Sequence, residues 1–376
     1  MAAPTTAHSD ERSGHAQRAG RPRTWRRQVG TTVTAVLLAA LVVLALTKIN
    51  LADVGHAIAA VNGWWVAAAA LLMAAAFFAR SESWYTAIRE ALPGERISRS
   101  VVTRTLLIGM AGSSVAPGRL GEAARAWLIA RRAGRLRDAL ATVIGTLLSQ
   151  TLLNLLALVI LSVVALAGSA IPGARTESII LTALVPAICV AALIGGPALL
   201  ARSRTPHDGR LGRIAEWIHS QLVDVRQGLA VFRRPGPAFH SGGFQLLAWG
   251  LQWGAGYAAL LAFGLQQRAG IAAAAAVLVA VNITAILPVT PSSVGVFQAA
   301  CIAVLAPFGI HAGEGLAYGL VLQAVEIGCA LAMGLPSLLV EGVSIAELRA
   351  HAGTPRRAPA RRRPGVGGER GAGNRV

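Results

Sequence analysis

A chain of 376 residues would ordinarily make about two soluble domains, but 54% hydrophobic and 14% charged side chains with mean hydropathy +0.57 exclude that and describe an integral membrane protein. The formal charge of +18, from 35 basic and 17 acidic side chains, does not call for a nucleic acid, because the basic clusters flank apolar runs as cytoplasmic loops do. The basic ends are instead expected to touch anionic lipid.

Residues 1–28 are polar and basic (Arg12, Arg18, Arg21, Arg23, Arg26, Arg27) and read as a disordered cytoplasmic tail. Apolar runs follow at Val33–Leu46, Trp64–Ala79, Ala139–Gly168, Ile179–Ala201, Gly242–Gly264 and Gly315–Val340, each near the ~20 residues that a bilayer requires. Trp64-Trp65 and Trp84-Tyr85 fit the interfaces, whereas Trp249 and Trp253 fall inside a span and are expected to pack there. Residues 208–232 place Leu211, Ile214, Ile218, Leu222, Val225 and Leu229 at helical spacing among charges, the pattern of an amphipathic helix on the membrane surface. A membrane domain over 29–340 thus precedes a second disordered basic tail, 341–376.

Two further apolar pieces are interrupted. Val101–Ala116 carries Gly109, Gly112, Ser113 and Ser114 and breaks at Pro117-Gly118, and Ile271–Leu287 breaks at Pro288 and Pro291-Ser292-Ser293. Each resumes as helix-like sequence, with Gly121 and Gly295 both in the fifth position from Pro117 and Pro291. Matching breaks in two halves are the pattern of an internal repeat with broken helices. Arginine asymmetry places both tails, the segments holding Arg80, Arg89, Arg96, Arg99 and Arg104 and then Arg131, Arg132, Arg135 and Arg137, and residues 202–240 in the cytoplasm. The first broken piece then enters and leaves from inside, and the second from outside. The expected fold is an all-α polytopic helical bundle of about six spans plus two inverted re-entrant hairpins, multi-pass in the plasma membrane.

Several side chains are candidates for chemistry. Arg119, Glu122 and Arg125 follow Pro117-Gly118 at i, i+3 and i+6, so Glu122 can orient one Arg while another guanidinium grips a phosphate; in a shallow hairpin they are ordinary cytoplasmic arginines. Gly118 and Gly121 leave backbone N–H groups open to a headgroup, and Ser292, Ser293 and Gly295 offer a second helix start. Glu326, midway along the last span, is the candidate for proton coupling or else a packing carboxyl, and Gln150 and Asn154 are expected to bond between helices. Cys189, Cys301 and Cys329 sit singly, and the scattered histidines have no ligand spacing, so no metal or other cofactor is expected. No nucleotide loop, nucleophile elbow or acidic cluster is visible, and the chain is not expected to be an enzyme.

The run Pro117-Gly118-Arg119-Leu120-Gly121-Glu122 with Arg125, together with Leu287-Pro288 and Pro291 to Gly295, resembles the lysylphosphatidylglycerol synthase transmembrane family, a flippase-like domain, over residues 29–340. Against the family's patterns the chain departs at Ser292-Ser293 for two glycines, at Gln298 for Glu, at Gly145, Thr146 and Ser149 for a charged triplet, and at Gln323 for Arg. It looks like a diverged member without the soluble synthase domain. The resemblance implies moving an anionic phospholipid or a polyprenyl-linked lipid between leaflets, not aminoacyl transfer. A membrane-embedded transferase and a non-transporting scaffold are the other readings.

Overall fold

The structure, a computed structural model, describes residues 51–115, 120–134, 136–168, 228–284 and 294–342. Both tails, the expected spans Val33–Leu46 and Ile179–Ala201, and most of the expected surface helix at 208–232 lie outside the described residues. Within them the helices are α1 (Leu51–Ala59), α2 (Gly63–Ala91), α3 (Arg99–Val115), α4 (Leu120–Arg132), α5 (Leu136–Gly168), α6 (Pro235–Ala262), α7 (Ile271–Thr284), α8 (Val296–Leu305) and α9 (Ala312–Glu341), with no strand.

Three described helices are long and apolar enough to cross a membrane: α2, residues 139–165 of α5, and α9. The protein is a helical membrane bundle. α2 starts where Asn62 Oδ1 accepts the Trp64 N–H at 3.0 Å, and it stops before Pro93-Gly94. One stripe of α2 (Ala69, Met73, Ala76, Phe77, Trp84, Ala87, Ile88) is buried, while Leu71 and Phe78 on other faces stay open, as lipid-facing residues do. The helix runs twelve residues past the expected span end at Ala79. Ser81, Ser83 and Thr86 in that extension are buried against helices rather than lying in a loop.

α2 and α6 form an antiparallel pair. Asn62 N–H donates to the Ala262 carbonyl at one end, and at the other Ser83 Oγ meets Ser241 Oγ at 3.1 Å and Thr86 Oγ1 meets His240 Nδ1 at 3.0 Å. Around this pair the other contacts obey a two-fold exchange of α2–α5 with α6–α9. α3 packs on α9 as α7 packs on α5, α4 on α5 as α8 on α9, and α2 on α3 as α6 on α7. Because the central pair is antiparallel, the repeat is inverted.

The helices of each hairpin are short. α3 and α4 have 17 and 13 residues and α7 and α8 have 14 and 10, or roughly 15–26 Å of axial rise, less than the ~30 Å hydrocarbon core. α3 and α4 lie antiparallel, with Gly109 and Gly112 of one against Gly121 of the other. A Cβ on Gly121 would stand 2.0 Å from the Gly109 carbonyl oxygen and 2.2 Å from Ser113 Oγ, so only glycine permits this approach.

Candidate functional site

Opposite ends of α9 hold the two hairpins. At its last residue, Glu341 accepts from Arg104 Nε at 2.7 Å and from an Arg132 terminal nitrogen at 2.5 Å, joining the bases of α3 and α4. At its first turn, Glu314 receives both terminal nitrogens of Arg268 at 3.0 and 2.6 Å, and Arg268 also donates to the Gly309 carbonyl. Arg268 precedes α7 and Gly309 follows α8, so this clasp closes the base of the second hairpin. The hydrogen bond from Arg268 to Glu314 raises the Arg268 pKa above its ordinary value. The hairpins therefore enter the bundle from opposite ends of one helix, the inverted arrangement that the arginine asymmetry predicts.

Glycines on α9 allow both contacts. Gly315 and Gly319 face Ile302, Cys301 and Gln298 of α8, and Gly334 lies against Ala111 and the Leu107 carbonyl of α3.

The first hairpin carries Gly121, Glu122 and Arg125. Gly121 turns its Cα toward α3, so its missing side chain is taken up by helix contact. The Arg125 stem crosses Gly109, and its guanidinium carbon sits 5.0 Å from the centre of the fully buried Trp84 ring, a cation–π contact of about 0.5–2 kcal/mol. Trp84 Nε1 in turn donates to Thr146 Oγ1 at 3.0 Å. Glu122 is half-buried on the same helix. Pro117, Gly118 and Arg119, like Pro291, Ser292 and Ser293, lie outside the described residues.

Gly295 opens α8 with φ +87°, a conformation for which glycine is needed, and its N–H donates to Gln298 Oε1 at 2.7 Å. Gln298 Nε2 donates to Gln323 Oε1 at 2.6 Å. The two glutamines that stand where the resemblance implies Glu and Arg are thus direct partners, joined as neutral amides. Thr146 and Ser149, at two of the other departures, are also satisfied without charge, the first by Trp84 and the second by the Gly228 carbonyl at 2.8 Å. Asn154 accepts from Gln245 and Trp249, as expected of an interhelical amide, and Gln150 donates to the Arg80 carbonyl at 3.4 Å.

Arg80 was grouped from sequence with the cytoplasmic arginines, but it lies within α2, in phase with the buried stripe between Phe77 and Trp84. One of its terminal nitrogens donates to Gln252 Oε1 at 3.1 Å, and its enclosed Nε has no hydrogen-bond partner among the described residues. Glu326, half-buried midway along α9, is near enough for the two charges to interact, without an ion pair between them among the described contacts. Helical phase was the signal in sequence: Arg80 stands three residues after Phe77 and four before Trp84.

The described helices thus form an inverted-repeat membrane bundle with ionisable side chains at its interior, positions that are functional candidates in a bilayer. The family described as lysylphosphatidylglycerol synthase TM region matches residues 29–334, and the chain belongs to it, a membrane family associated with lipid. Comparison with curated proteins gives no match.

Proposed function

We propose that this protein binds an anionic lipid or lipid-linked substrate and carries its headgroup between leaflets of the plasma membrane without a chemical step, its termini in the cytoplasm. The observation that supports this most is the pair of hairpins entering from opposite ends of α9, each with a helix start after its break. A headgroup entering an apolar bundle loses water, and helix-start N–H groups and charged side chains replace it. In the first hairpin Pro117, Gly118, Arg119, Glu122 and Arg125 would supply that environment, and in the second Pro291, Ser292 and Ser293, whereas Gly121 is taken up by α3 and the Gly295 N–H by Gln298 instead of standing open as the sequence suggests. A headgroup then meets a partner from either side. The test is leaflet exchange of fluorescent phosphatidylglycerol in vesicles holding the purified protein. Exchange above protein-free vesicles, reduced several-fold by Arg125→Ala, is expected. An exchange rate equal to that of empty vesicles would overturn the reading. Labelling of single cysteines near residue 268 from outside and near 131 from inside checks the orientation.

A further inference from the structure

Arg80 is an arginine on the core stripe of a membrane helix, flanked by fully buried Phe77 and Trp84. A charge there is costly and is tolerated when hydrogen-bonded or paired. Yet among the described residues the guanidinium makes one side-chain hydrogen bond, to the neutral carbonyl of Gln252, and its enclosed Nε makes none. Glu326 makes no ion pair with it among the described residues. A guanidinium has several donors in one plane, so Arg80, half-buried, keeps terminal donors beyond the one that Gln252 takes, while its enclosed Nε is closed to a ligand.

Direction adds to this. In the antiparallel register set by Ser83 against Ser241, Arg80 stands opposite Phe244, and Gln252 is two turns nearer the Gly63 end of α2. The side chain therefore reaches inward along the bundle, toward the level of Glu326, and not to the near surface at Ala91 as a snorkelling arginine would. Trp84, one turn away on the same face, carries the Arg125 guanidinium on its ring. Gln150 fixes the α2 backbone at Arg80.

We infer that Arg80 is the interior binding group for a phosphate ester, taking the phosphodiester of a phospholipid headgroup on its open terminal donors, with Gln252 aligning the fork. This rests on the lipid-binding reading above and adds to it the ligand's charged group and its receptor.

Native mass spectrometry of the purified protein, with added phosphatidylglycerol, phosphatidylethanolamine or inorganic phosphate, measures occupancy. Phosphatidylglycerol and phosphatidylethanolamine, which share the phosphodiester, should both be retained, Arg80→Gln should cut the occupancy of each on the order of tenfold, and Glu326→Gln, which leaves the guanidinium in place, should leave it unchanged. Competition by millimolar inorganic phosphate alone would assign the site to free phosphate rather than lipid and overturn the headgroup part. Should Arg80→Gln fail to give a monodisperse protein, the double variant Arg80→Gln with Glu326→Gln removes both ionisable groups together and should still lose the occupancy. Occupancy unchanged in the folded Arg80 variants, or lowered equally by Glu326→Gln, would make the pair structural and sink the inference even if leaflet exchange persisted. Arg80-dependent occupancy without exchange would uphold it while refuting translocation.

Discussion

Gly121→Ala tests whether the first hairpin is held by backbone contact. The added Cβ would lie 2.0 Å from the Gly109 oxygen, 2.2 Å from Ser113 Oγ and 2.7 Å from Ser113 N. Carbon–oxygen contacts settle near 3.3–3.6 Å, so α3 and α4 must part by about 1.3 Å or more. Ser113 Oγ can rotate away, but the two backbone atoms cannot. Such overpacking costs about 1–3 kcal/mol, and the better helix propensity of alanine returns at most about 1. Two controls bracket the effect. At Gly328, in the middle of α9, a Cβ meets nothing within 4 Å, so Gly328→Ala should leave stability unchanged or slightly raised; at Gly334 it would stand 2.5 Å from Ala111 Cβ and 2.6 Å from the Leu107 oxygen, so Gly334→Ala should resemble Gly121→Ala. Thermal unfolding in detergent, followed by exposure of a buried cysteine such as Cys301, ranks the three. A Gly121→Ala protein as stable as Gly328→Ala would refute the glycine-on-glycine hairpin.

The clasps and the amide pair give further expectations. Glu341→Gln removes the shared acceptor of Arg104 and Arg132; the carboxylate is 4% exposed but the arginines are 30% and 53% exposed, so the loss should be about 1–2 kcal/mol rather than that of a fully buried pair, with faster hydrogen exchange confined to the ends of α3 and α4. Glu314→Gln, whose partners are both partly open to water, should cost less, about 0.2–1 kcal/mol, and loosen α7 and α8 instead. Equal exchange at both hairpins in either variant would contradict the two-ended arrangement. Because Gln298 and Gln323 touch, Gln298→Glu and Gln323→Arg should each destabilise by burying a lone charge while the double variant recovers most of the loss; additive losses in unfolding midpoints would show that the two sites do not couple.

Much of this protein was legible from sequence because the bilayer imposes simple rules. Apolar runs near ~20 residues mark spans, and pieces that are too short and interrupted by Pro and Gly, at 101–116 and 271–287, mark hairpins. The resemblance at Gly121, Glu122 and Arg125 pointed to the family that matches residues 29–334. Gln298 and Gln323 were each readable as departures from that family, but nothing in their 25-residue separation says that they bond to one another. That required α8 to lie across Gly319 of α9.

Arg80 shows the same limit more sharply. Counting arginines near a span end assigns it to the cytoplasm, because loop charge sets orientation. Whether an arginine at a span's edge faces water, lipid or the core depends on where the helix stops and which face its neighbours cover. α2 continues to Ala91 and packs its stripe on α6, and that placed Arg80 beside Gln252 and near Glu326, 172 and 246 residues away in sequence. Hydropathy along the chain determined which segments enter the membrane; the packing of four helices from two inverted halves decided which of their polar residues meet, since only there does excluded water make a buried charge seek a partner.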